Sequence, residues 1–206
     1  FFTRLFPVGS SRNIVPSDYG STRLQLPNGQ KYVEQNLQFG IIEHFEEAAF
    51  SHIYPRRIGT ISSVRSQEFT GEDGKPFTVY YIKDSGLNFD PNDYEIPGLV
   101  KHIVFQSKEL NGYDFETNYH SDTQEFEIIN QYPEGFDQLP GGQLIPETGA
   151  EYILYNIKMP SEYYPLAEKE YKEAVDAYME KHRLDKSIYR GETDYINIAE
   201  RRLDIK

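Results

Sequence analysis

The sequence predicts a mainly β protein with one long amphipathic helix, an α+β chain built around a small antiparallel barrel or sandwich. Three observations carry that expectation. Short segments alternate apolar and polar residues in period two and are separated by Gly/Pro/Asn/Asp turn clusters. Aromatic residues are abundant, with 17 Tyr and 13 Phe and no Trp, which suits half-buried strand faces. Near the C-terminal end, a single stretch switches to a helical period.

Taken in order, Phe1–Pro55 reads as short strands and loops. Arg23-Leu-Gln-Leu26 and Lys31-Tyr-Val-Glu34 alternate on either side of Pro27-Asn28-Gly29-Gln30, and Asn-Gly supplies the positive φ of a hairpin turn. Glu43–Phe50 is expected to form a short helical turn. Strand signals are denser between Ile58 and Met159. Gly59–Val64, Pro76–Ile82, Leu99–Phe105, Tyr113–Tyr119, Glu125–Ile129 and Glu151–Lys158 are the predicted strands. Glu72-Asp73-Gly74 and His120-Ser121-Asp122 turn two hairpins, and Gly135–Gly149 is a Gly/Pro-rich connection. About six strands over such a span suggest closure, which hides edges that otherwise aggregate.

The helix is expected over about Ser161–Lys181. Ala167, Tyr171, Ala174, Val175 and Tyr178 fall on one face, with Ser161 as the expected N-cap and Pro165 in the first turn. Glu168 and Lys172 are spaced for an ion pair, and His182 and Arg183 suit the negative C-terminal end. Ser187–Tyr189 and Tyr195–Ile198 read as further strands.

Bulk properties exclude several functions. With 206 residues the chain can bury roughly 70% of its unfolded surface, enough for one large or two modest domains. There is no Cys, so neither disulfides nor a Cys-based zinc site can form, and stability rests on packing. A net charge of −12 opposes binding to nucleic-acid phosphates or anionic lipid, so neither sequence-specific nucleic acid nor membrane is expected as a partner. The first residue is Phe1, inside what reads as a strand, so the chain is expected to be a piece of a longer protein.

Candidate sites are few. His44, Glu46, Glu47 and His52 lie close in sequence, but their spacing matches no zinc motif. Asp84, Asp90, Asn92, Asp93 and Glu95 offer the hard oxygens that Ca²⁺ takes, yet the run lacks the glycine and distal glutamate of an EF-hand and contains ordinary turn formers; Ca²⁺ binding at Asp84–Glu95 stays open. No Gly-x-Ser-x-Gly elbow and no phosphate-binding glycine loop occurs. With 33 acidic residues, a carboxylate pair carries no weight as a glycosidase signal. No catalytic, cofactor-binding or metal-ligating residue is therefore assigned, and no enzyme activity is expected. The aromatic surplus could stack sugars, but its period-two spacing is that of core strand faces.

Several stretches together resemble a segment of large prophage tail proteins of gut bacteria. They are Thr3-Arg-Leu-Phe-Pro-Val-Gly9, Arg23-Leu-Gln-Leu-Pro27 with Tyr32-Val-Glu34, and Ile53-Tyr-Pro-Arg-Arg-Ile-Gly-Thr-Ile-Ser-Ser-Val64. Ile103–Glu116 is similar to that family's strand–loop–strand, and Leu139-Pro140 through Leu144, Tyr152–Asn156 and Ile157-Lys-Met-Pro160 also follow its pattern. The resemblance covers nearly the whole chain in order; Phe6 stands where Tyr is common, and the chain ends soon after Ile205. It implies a structural component of a virion tail tip or baseplate hub, serving tail assembly and host attachment and made in the host cytoplasm. Its implied partners are other tail and baseplate proteins, copies of itself in a homotrimer, and host-surface glycans. It further implies that Phe1–Pro55 and Ser161–Lys206 form one discontinuous domain into which Arg56–Pro160 is inserted as a β-domain. In such a hub the acidic balance would repel DNA from the wall of its path. From a different class, a carbohydrate-binding module is the alternative expectation.

Overall fold

A computed structural model describes residues 1–129 and 145–183. The protein is mainly β, with a curled seven-stranded antiparallel sheet, a small three-stranded sheet and one long helix. By contacts the chain divides into two compact units. One comprises Phe1–Ser11, Arg23–Tyr54 and the described residues from Pro165; the other comprises Arg12–Thr22 and Pro55–Tyr164.

The first unit contains strands β1 (Arg4–Pro7), β2 (Val33–Glu34) and β3 (Glu43–Glu46) in the order β2-β1-β3. β1 pairs antiparallel to β2 and parallel to β3. Two expectations are corrected here. Arg23–Leu26 forms no strand: Leu24 and Leu26 are buried as loop anchors, and Leu24 N–H donates to the Ser10 carbonyl. The Asn-Gly turn does form, with Gly29 at φ 65° and its N–H on the Leu26 carbonyl, but the strand leaving it pairs with β1. Glu43–Phe50 is not helical either; its first four residues are β3, because pairing with β1 satisfies backbone groups that an eight-residue helix would leave half unpaired. Helix α2 (Tyr164–Lys181) buries Ala167, Tyr171 and Val175, the face that the sequence marks. Phe50 meets Tyr171 and Tyr178 edge-on, at centroid distances of 5.6 Å each. Ser161 does not cap α2 but opens a 3₁₀ turn, Ser161–Tyr163, that leads into it. The expected strands at Ser187–Tyr189 and Tyr195–Ile198 lie outside the described residues, as does most of Gly135–Gly149.

The second unit is the curled sheet. Its strands are β4 (Ile58–Thr60), β5 (Ser63–Thr70), β6 (Pro76–Lys83), β7 (His102–Phe105), β8 (Asp114–His120), β9 (Glu125–Ile129) and β10 (Glu151–Tyr155). Their order is β4-β10-β7-β8-β9-β6-β5. The two edge strands, β4 and β5, are consecutive in the chain and only Ile61 and Ser62 separate them. A flat sheet of this order would hold its edges about 29 Å apart, whereas three Cα steps reach at most about 11 Å. The sheet must therefore roll up. The handover is visible in the hydrogen bonds: Ile61 exchanges bonds with the β10 side (Ile61 N–H to Ala150 O, 2.9 Å; Gly149 N–H to Ile61 O, 2.8 Å), while Ser62 N–H turns to the Lys83 carbonyl beside β6 (2.7 Å).

Cross-strand pairs fill the interior. Ile82 faces Phe126, Tyr80 faces Ile128, Ile103 lies between Phe115 and Leu154, and Tyr152 faces Phe105. All of these are buried. Each pair comes from the period-two alternation of its strand, so one register fixes the whole core. The Arg12–Thr22 segment, with the short helix α1 (Pro16–Tyr19), is pinned to this unit by Asn13. Its side chain donates to the carbonyls of Pro55 (3.1 Å) and Leu154 (3.0 Å), and its own φ is 59°, a left-handed value that Asn tolerates.

Gly59 in β4 is a second fixed point. A Cβ there would lie 2.4 Å from the Tyr152 ring and 2.6 Å from the Asp84 carboxylate. Gly59→Ala is expected to cost about 1–3 kcal/mol through overpacking, read as a lower urea midpoint with an unchanged slope.

Candidate interaction surface

The three-stranded sheet has two unlike faces. Leu5 of β1 is fully buried, and its register partner His44 shares that inner face, beside α2. There Phe2 stacks on His44 (5.2 Å) and on Tyr178 (5.9 Å). The Tyr178 hydroxyl donates to Glu46 at 3.0 Å, and the other Glu46 oxygen accepts the Ala49 N–H at 3.0 Å. The Ala49 bond, against the opposing effect of burial and with help from Tyr178, holds the Glu46 carboxyl below its ordinary value.

The outer face carries Arg4 and Phe6 from β1, Glu34 from β2, and Glu43 and Phe45 from β3. Phe6 and Phe45 are register partners, and their rings stack with centroids 4.5 Å apart and planes 8° apart. Tyr32 closes on Phe6 from the other side at 5.5 Å. Arg4 binds Glu34 (2.8 Å) and Glu43 (3.3 Å), with its guanidinium 4.5 Å from the centre of the Tyr32 ring. Phe45 is 65% exposed and Ile41, just ahead of β3, is 60% exposed. Phe45 thus leaves a large ring in water, in register with the half-buried Phe6.

Other candidate residues are placed in structural roles. Glu47 pairs with Arg23 at 2.7 Å, and His52 is exposed in a turn, so His44, Glu46, Glu47 and His52 form no common ligand set. The Asp84–Glu95 loop is likewise divided. Asp90 caps a turn by accepting Asn92 N–H at 2.8 Å, Asn92 binds the Tyr119 carbonyl and Ser121, and Glu95 pairs with Lys101. Among the described residues, no group of three or more His, Asp or Glu side chains is arranged to hold a metal ion.

Asp84 points inward and its side chain is 4% exposed. It accepts from Arg57 (2.7 Å), Tyr152 OH (3.0 Å) and Gly86 N–H (2.8 Å). Burial works against its charge, but the Arg57 bond and the Gly86 N–H outweigh it and keep the carboxyl below the usual value. Burial, ahead of the nearby Asp84 charge, pushes the Tyr152 phenol up. A carboxyl depressed in the folded state contributes stability in full above its unfolded value, and loses it as pH falls through the folded one. The urea midpoint should therefore drop on acidification below about pH 4, and Asp84→Asn should flatten that drop. This Arg57–Asp84–Tyr152 network was not foreseen from the sequence; a lone Arg-Arg pair ahead of β4 is its only advance signal.

Among the described residues, no helix is long and apolar enough to cross a membrane. Comparisons with family models, curated proteins and solved structures find no match to this chain.

Proposed function

We propose that the chain is a structural part of a virion tail tip or baseplate hub, a piece of a longer protein that works by assembly with other tail proteins and in host attachment. The observation that carries this reading is the outer face of the small sheet: its large apolar side chains are stacked outward, whereas the buried acids are consumed by internal partners. The ordered resemblance of nearly the whole sequence to prophage tail segments supports the same reading. In it the chain has no reaction centre and its site of action is the virion tail. The test is immunogold electron microscopy of particles released on prophage induction, with antibody raised against this chain. Label at the tail tip is expected; unlabelled tails beside soluble antigen would overturn the assignment.

The carbohydrate-binding alternative draws on the same rings and fares worse. Sugars stack on ring faces, and Phe6 has one face against Phe45 and Tyr32 on its other side. Only one face of Phe45 remains. A glycan array with sharp binding to one sugar class would favour this alternative.

A further inference from the structure

We propose that Asn28 is a site of spontaneous covalent modification, losing its side-chain amide to become an aspartyl or isoaspartyl residue, while the fold protects Asn111. The two asparagines share a neighbour: Asn-Gly occurs twice in the chain, at Asn28-Gly29 and Asn111-Gly112. The reaction needs only water. The glycine amide nitrogen gives up its proton to solvent base and attacks the asparagine Cγ. The Cγ–Nδ2 bond breaks, and ammonia leaves carrying a proton taken back from solvent. Water then opens the five-membered succinimide at one carbonyl or the other, giving an ordinary or a β-linked aspartate. Glycine is the favourable successor because no Cβ shields its nitrogen.

Local crowding does not separate the two sites. Both asparagines are exposed, and a Cβ built on either glycine would meet nothing within 4 Å. What separates them is where the glycine N–H goes. Gly112 N–H donates to the Phe105 carbonyl at 2.8 Å, and Phe105 N–H donates to the Tyr113 carbonyl at 3.1 Å. Gly112 (φ 84°) and Tyr113 therefore oppose Phe105 as a bulge that closes the β7–β8 pair. Phe105 has no exposed surface, and β7 lies inside the seven-stranded sheet. Freeing the Gly112 nitrogen breaks that pair at its root.

Gly29 N–H is held far more lightly. It donates to the Leu26 carbonyl at 2.9 Å, three residues back within one turn. Residues 27–30 are all exposed and belong to no strand. Freeing this nitrogen gives up one hydrogen bond that water replaces, a net cost of about 0.5–1.5 kcal/mol. The free energy of local opening is near zero in such surface segments and approaches the global stability in core strands.

The modification falls on the approach to the outer face of the small sheet. Four residues on, Tyr32 lies against Phe6 with Arg4 over its ring, and β2 begins at Val33. A β-linked residue lengthens the backbone there by one carbon, and either product adds a negative charge to the −12 of the chain.

The test ages the whole chain at mildly alkaline pH, once folded and once in concentrated urea. Trypsin separates the two sites into the peptides Leu24–Lys31 and Glu109–Lys158. Mass spectrometry with fragmentation reads the amide-to-acid conversion at each asparagine. Methyl transfer from S-adenosylmethionine by an isoaspartyl methyltransferase reads the β-linked form. In the folded chain Asn28 is expected to convert at least about tenfold faster than Asn111, and in urea the two rates should converge. Asn28→Gln must close a six-membered ring and should remove the fast conversion; its place in an exposed turn leaves the fold intact. The proposal is overturned if Asn111 keeps pace in the folded chain, if folded Asn28 stays intact while the unfolded chain converts, or if Asn28→Gln gains acid at an undiminished rate. None of these outcomes depends on the tail assignment.

Discussion

Asp84→Ala is expected to lower the unfolding free energy by about 3–5 kcal/mol, the range for breaking a buried ion pair from one side. The carboxylate is nearly inaccessible and holds Arg57, Tyr152 and the Gly86 N–H at once. Its removal strands a guanidinium and a phenol hydroxyl inside the β-barrel-like unit, each still desolvated but without its acceptor. Urea denaturation followed by tyrosine fluorescence or circular dichroism measures the loss. Asp84→Asn keeps an acceptor oxygen and should cost less. Removing both partners, as Arg57→Met with Asp84→Leu, should recover part of the loss, because an apolar pair leaves no orphaned charge. A cost below about 1 kcal/mol for Asp84→Ala would mean that the network is no more than a surface ion pair.

Phe126→Ala is expected to destabilise by about 3–5 kcal/mol, as for other fully buried aromatic truncations. Phe126 has no exposed surface, lies opposite Ile82, and touches the rings of Tyr119 (4.7 Å) and Tyr152 (5.7 Å). Phe126→Leu, which keeps most of the volume, should cost less than about 1.5 kcal/mol. The informative contrast is with Phe45→Ala on the outer face of the small sheet, where loss of one stacked pair is worth about 0.5–1.5 kcal/mol. Equal costs at the two positions would mean that Phe45 serves the fold and not a contact.

The curled sheet was legible because its strands are bounded by turn residues and alternate cleanly, as in Glu125–Ile129 and Asp114–His120. The helix was legible for the same reason, since Ala167, Tyr171 and Val175 keep one period. What failed was local signal without enough neighbours. Arg23–Leu26 alternates, yet its two leucines plug the first unit from a loop; Glu43–Phe50 is too short for a period to show, and a parallel partner forty residues upstream decides its form. The outer face was hidden for a related reason. Phe6, Tyr32 and Phe45 are isolated aromatics in sequence, and only the register of β1 with its two neighbours places them side by side. Asp84 seemed to belong with the acids of its loop, when its partners, Arg57 and Tyr152, come from distant strand ends.

The interrupted course of the first unit has a consequence for synthesis. Phe2 must meet Tyr178, and Phe50 must meet Tyr171, before that unit has a core. As the nascent chain leaves the ribosome, the strands up to Tyr54 emerge and wait while the segment Pro55–Tyr164 is made. That segment carries all seven strands of its own sheet and can collapse first. Once folded, it replaces a long floppy loop by a compact one, and so lowers the entropic cost of bringing the two separated halves together.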